Sequence, residues 1–121
     1  MNSPENNPDK AAKVFADDRA YVFHSWSAQA QINPMAIASG AGSYFWDFTG
    51  KKYLDFSCQL VFTNIGHQHP QVIAAIKEQA DILATIAPQH ANEARNEAAK
   101  QILELAGDKF KKVFFTNAGA D

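Results

Sequence analysis

The last ten residues, Lys112-Val-Phe-Phe-Thr-Asn-Ala-Gly-Ala-Asp121, set the tightest limit on the fold this chain can enter. Val113, Phe114 and Phe115 form a short apolar run of strong β-formers. Lys111 and Lys112 precede it and Asn117-Ala-Gly-Ala follows, so the segment reads as a buried strand running into a tight turn. Gly119 permits positive φ or a close backbone approach. Asp121 is a favoured residue at a helix N-terminus. A strand, a glycine turn and a helix start leave free backbone N–H groups aimed at one point. That arrangement holds an anion such as a phosphate. The sequence stops where such a helix would begin, so the chain is expected to be the N-terminal piece of a longer protein.

Composition narrows the classes. An apolar fraction of 46% suits a globular domain with one modest core. Thirteen acidic against eleven basic residues give a net charge of −2, which argues against a nucleic-acid binder carrying a basic stripe. No apolar run approaches membrane-spanning length, and the polar start Met1-Asn-Ser-Pro-Glu-Asn-Asn-Pro lacks the apolar core of a signal peptide. One cysteine, Cys58, has no internal partner, and a reducing cytoplasm is the simplest fit.

Residues 1–8 read as a disordered tail. Asp9 is the expected cap of a helix through Arg19, with Ala11, Val14 and Phe15 on one face. Tyr21 to Gln31 reads as a loop carrying an inserted aromatic, and Ile37 to Gly42 as small and flexible. Ser43-Tyr-Phe-Trp-Asp47 and Lys52-Tyr-Leu-Asp-Phe56 are strand-like. Gly50 between them suits an αL turn position, which predicts a β-hairpin over 43–56. Its alternation puts Tyr44 and Trp46 on one face and Phe45 on the other. Ser57 to Ile65 is apolar without a clear period. Pro70 opens a helix to about Leu83, with Val72, Ile73, Ile76 and Ala80 as its stripe. Asn92 caps a further helix over 93–106, and Gly107 stands where a C-cap glycine belongs. The late alternation of helix and strand is that of an entry into an α/β domain.

Three segments then combine. These are Tyr44-Phe-Trp-Asp-Phe-Thr-Gly50 with Tyr53-Leu-Asp55, Asn64-Ile-Gly-His-Gln-His-Pro70 with Val72 and Ala75-Ile76, and Phe114-Phe-Thr-Asn-Ala-Gly-Ala-Asp121. In this order and spacing, from about residue 20 onward, the chain resembles the N-terminal part of the class III pyridoxal-phosphate-dependent aminotransferases, the ω-amino-acid transaminase group. The resemblance implies an α/β fold: the N-terminal part of a fold-type-I transferase. Residues 1–20 would be a tail and helix. Residues 21–83 would begin the small domain, with hairpin 43–56 and helix 70–83. Residues 84–121 would start the large, cofactor-binding domain, whose sheet opens with the strand at 112–116.

The resemblance also implies chemistry. The cofactor is pyridoxal 5'-phosphate, and Gly119 and Ala120 would offer backbone N–H groups to its phosphate. The parent would move an amino group from an ω-amino acid or amine to pyruvate or 2-oxoglutarate. The family's essential lysine, and the carboxylate that pairs with the pyridine nitrogen, lie downstream of this sequence, so residues 1–121 are expected to be inactive alone. Leu60 and Val61 fall in the loop that lines the donor pocket. Trp26 lies in the segment that closes over substrate, and residues 85–88 reach towards a neighbouring subunit in an expected homodimer. An aminomutase or decarboxylase on the same fold is the alternative within the class. A non-catalytic interaction module is the alternative outside it.

Plainer roles compete with each assignment. A strand-to-helix turn needs a glycine whether or not it holds phosphate. His67 and His69 could share one side of an extended segment, but zinc needs three or four ligands and no third is evident, so a turn and helix cap is the expected role. Trp26 could simply pack. By composition Leu60 and Val61 are core residues, and Cys58 is a small buried filler.

Overall fold

The structure, a computed structural model, describes residues 4–117. The chain divides into two compact units, Met1–Glu78 and Gln79–Asp121.

The first unit opens with α1, Pro8–Tyr21. Its cap is Asn7, not Asp9: the Asn7 side chain accepts the Lys10 N–H at 2.9 Å. The shift upstream follows from Pro8, whose fixed φ and missing N–H suit the first helical turn. Residue 7 is therefore structured rather than part of a tail. Its N–H donates to the Phe48 carbonyl at 2.7 Å, and the Lys10 ammonium sits 5.1 Å from the Phe48 ring centroid. These contacts tie the start of α1 to the hairpin turn.

A three-stranded antiparallel sheet follows, in the order β1 (Ile37–Ala41), β2 (Tyr44–Asp47) and β3 (Lys52–Leu54). The β2–β3 pair is the hairpin expected from the sequence, with Tyr44 opposite Leu54, Phe45 opposite Tyr53 and Trp46 opposite Lys52. Asp47 builds its turn. One carboxylate oxygen accepts from Thr49 N, Thr49 Oγ1 and Lys51 N at 2.9, 2.7 and 3.1 Å, and Gly50 takes φ 82°. The faces alternate as expected. The Lys52 ammonium lies 3.8 Å from the Tyr44 ring and 5.5 Å from the Trp46 ring on one side. On the other, Phe45 stacks on Tyr53 at 5.2 Å. Strand β1 was not expected. Ile37-Ala-Ser-Gly-Ala41 has weak β-propensity, and it is strand only because β2 supplies its ladder, with an irregularity between Ile37 and Ser39.

After a long loop comes α2, Pro70–Ile82, within which the two units divide. The His69 carbonyl accepts the Ile73 N–H at 3.0 Å, so His69 sits at the helix start as expected. In the second unit α3 spans Glu93–Ala106. Asn92 caps it by accepting the Arg95 N–H at 3.0 Å, and Gly107 closes it at φ 80°. Residues 111–116 form no strand, contrary to expectation. A strand needs a ladder partner, and no other segment among the described residues pairs with them; Phe114 stays 83% exposed.

Among the described residues no apolar side chain is fully buried, and the one buried residue is Asp55, at 7% exposure. Phe56, Phe62, Leu105 and Phe114 are each more than four-fifths exposed. The 121-residue chain alone should therefore bind a hydrophobic dye and sediment as oligomers. A monodisperse monomer that unfolds cooperatively would contradict this.

Candidate functional site

The loop after β3 carries an unusual backbone. Cys58, Gln59, Leu60 and Val61 have φ of 49°, 49°, 57° and 70°, four consecutive left-handed residues without a glycine. Left-handed helical backbone costs about 1–2 kcal/mol for each L-residue, and β-branched Val61 is the least suited of the four. Local hydrogen bonds run through the turn: Val61 N–H to the Ser57 carbonyl at 3.3 Å and Thr63 N–H to the Cys58 carbonyl at 3.0 Å. A segment of this kind persists only where its surroundings over-determine it.

Asp55 supplies that constraint. One of its oxygens accepts from Gln59 N and Ser57 Oγ at 3.3 and 3.4 Å. The other accepts from Thr63 Oγ1 at 3.3 Å and from His67 Nε2 at 2.7 Å. An ionised carboxylate only accepts, so the His67 proton facing it lies on Nε2. The Asp55 backbone N–H donates to the Ser43 carbonyl at 2.9 Å. His67 extends the linkage to the sheet. Its N–H donates to the Gly42 carbonyl at 2.8 Å, and its carbonyl accepts the Gly42 N–H at 3.0 Å. The imidazole lies on Gly40, where a Cβ would come within 2.8 Å of the ring; the missing side chain is what admits it. The Phe45 ring meets the same imidazole edge-on at 6.4 Å.

Burial pushes the Asp55 carboxyl upward. The hydrogen bonds from His67, Gln59 and Thr63 outweigh it, and the net effect holds the group below its ordinary value of 3.8. Asp47 is lowered too, first by the Thr49 hydroxyl, against burial, with further help from Tyr53 and Lys51.

The turn anchored on Asp55 presents Leu60 and Val61 outward, at 78% and 72% exposure. Both residues expected in the donor pocket thus stand on the strained segment, and neither is core. Cys58 is half-buried. Beside the turn is a cleft of about 390 Å³ lined by Met35, Ile37, Phe45, Gln59 and His67. Trp26 stands on a different loop, fully exposed at φ 59°. That loop is held by Gln29, which bonds the His24 backbone, and by His24 Nε2 on Asp18 at 2.8 Å. The phosphate cradle expected at Gly119 and Ala120 lies outside the described residues. His67, expected to serve as a turn or cap residue, is instead the link between Asp55 and β1. Sequence reading passed over Asp55 as a functional residue, although a carboxylate set between Leu54 and Phe56 was a signal that a polar partner awaited it.

The model of the family described as Aminotransferase class-III matches residues 26–121. The chain belongs to the class-III aminotransferase family. Among curated relatives, an acetylornithine aminotransferase from Methanocaldococcus jannaschii is 38% identical over 88 residues, covering 73% of this chain and 22% of the relative. A succinylornithine transaminase from Yersinia pseudotuberculosis is 39% identical over 85 residues, covering 70% and 20%. Among solved structures, the taurine:2-oxoglutarate aminotransferase from Bifidobacterium kashiwanohense, in complex with PLP and glutamate, superposes with a TM-score of 0.85 at 38% identity. That match covers 99% of this chain and 26% of the other. The chain thus spans about a quarter or less of the length of these relatives. The α/β architecture expected from the sequence, the N-terminal part of a fold-type-I transferase, agrees with these neighbours.

A carboxyl held below 3.8 adds stability above that pH and loses it as the pH falls through the lowered value. In a full-length class-III chain, Asp55→Asn should be less stable than the wild type at neutral pH. The difference should shrink below pH 3.8, read as the acid-unfolding midpoint by circular dichroism.

Proposed function

We propose that the full-length protein is a pyridoxal-phosphate-dependent aminotransferase, moving an amino group from an ω-amino acid or amine to pyruvate or 2-oxoglutarate. Residues 1–121 would be inactive alone. The observation that carries this reading is the superposition of nearly the whole chain on an aminotransferase in complex with PLP and glutamate. In this reading, residues 21–83 begin the small domain and residues 84–121 the large one, with residues 1–20 preceding both. The enzyme works in the cytoplasm as a homodimer.

Each of this chain's residues then has a task. The backbone N–H groups of Gly119 and Ala120 hold the cofactor phosphate, as a glycine turn before a helix suits an anion. When bound, the cofactor supplies an electron sink for the bond-breaking step at the donor carbon. Leu60 and Val61, outward-facing on the left-handed turn, form an apolar wall for the donor's chain. Trp26, exposed on its own loop, covers the donor and excludes water. Thr85 and Ile86, which line a cleft of about 330 Å³ in the second unit, contribute to the segment that reaches the neighbouring subunit.

The full-length chain should purify with the visible absorbance of bound pyridoxal phosphate and convert ω-amino acids with pyruvate or 2-oxoglutarate. Absence of both would sink the reading. Gly119→Val should weaken cofactor binding by about tenfold or more, the equivalent of one lost hydrogen bond to a charged group. Unchanged affinity in a titration of the apoprotein would remove this turn from the site.

A further inference from the structure

The left-handed turn at 58–61 has no glycine to make it easy, and its Leu60 and Val61 side chains are largely exposed. What keeps it in place is therefore the group behind it. Asp55 is the one buried residue among those described, and four donors converge on its two oxygens. Two of the four, Ser57 Oγ and Gln59 N, belong to the start of the turn. Thr63 Oγ1 stands at its end, and His67 Nε2 brings in the sheet through the paired backbone at Gly42. A carboxylate with its lone pairs so engaged is not available to exchange a proton with a substrate. Its role is geometric.

We propose that Asp55 and His67 are positioning residues that set the protein's selectivity between short and long amine donors, by clamping the turn that presents Leu60 and Val61 to β1 and β3. The proposal rests on the reading of Leu60 and Val61 as the donor-pocket wall. Released from the clamp, four L-residues relax out of left-handed backbone, and a wall built on them moves. A short ligand that stops before the wall is little affected. A longer one, which must lie along it, loses its contacts. Gly40 belongs to the same device, because only a residue without a side chain there lets the imidazole reach Asp55.

The test uses the full-length protein with its cofactor. Propanoate and hexanoate serve as unreactive short and long probes, with dissociation constants measured by calorimetry. KM and kcat for a three-carbon and a six-carbon ω-amino acid, and melting temperatures, are recorded alongside. His67→Ala should weaken hexanoate relative to propanoate by about tenfold, the equivalent of about two methylene groups losing their apolar contact. KM for the long donor should rise more than kcat falls. His67→Gln, whose amide can still donate to Asp55, should restore most of the ratio. Thr63→Val, which removes one donor without opening a cavity, should move the ratio in the same direction and carries the test if His67→Ala does not fold. Leu60→Trp is the control on the pocket itself.

If Leu60→Trp changes the probe ratio while the His67 and Thr63 variants lower only the melting temperature, the clamp is merely structural; the proposal falls and the pocket reading stands. If Leu60→Trp leaves the ratio unchanged, the pocket reading fails. The proposal then fails with it, whatever the clamp variants do.

Discussion

A carboxylate holds the backbone that matters most in this chain. Asp55 ends the hairpin and begins the loop, and the loop's left-handed turn folds around its two oxygens. Removing a charge from water is costly unless every lone pair is met. Here the meeting groups come from the turn itself and from His67. The same hydrogen bonds that make burial of the charge tolerable also dictate the path of residues 57–63. Backbone strain in the turn and polar satisfaction of Asp55 are two sides of one constraint.

The hairpin is the platform for this constraint. Asp47 organises its turn through three accepted hydrogen bonds and also accepts the Tyr53 hydroxyl at 2.8 Å. Tyr53 in turn stacks on Phe45, and Phe45 meets the His67 ring. A line of contacts therefore runs from the hairpin turn to the Asp55 clamp along one face of the sheet. The other face carries Lys52 over Tyr44 and Trp46. The apolar stripe of α2 and the aromatic pair Phe114 and Phe115 remain largely exposed. That agrees with a chain matching about a quarter or less of the length of its relatives.

Much of this was legible in the residues because the signals were local. Asn92 and Gly107 mark the ends of α3, Pro70 the start of α2, and Gly50 the hairpin turn, each through the backbone conformation that residue permits. The family was legible from three short motifs in order. Other features were not local. Strand β1 exists because β2 pairs with it, and Val113-Phe-Phe115 is not a strand because no segment among the described residues pairs with it, although its β-propensity is the stronger. Asn7 displaced Asp9 as the cap of α1 because Pro8 could open the helix.

By itself the sequence determined the three helices, the caps of α3, the hairpin with its two faces, and membership of the class-III aminotransferases. Each depends on residues within a few positions of one another, or on motifs that need no contact to be read. Only the tertiary structure decided that Cys58 to Val61 turn left-handed, that Asp55 is buried, and that His67 is its partner rather than a cap. Twelve positions separate that pair, and no local rule joins them. They meet because Gly40 and Gly42 on and beside β1 leave room for the imidazole and a backbone pair for its peptide. Burial of a charge depends on everything that surrounds it, which a linear pattern does not contain.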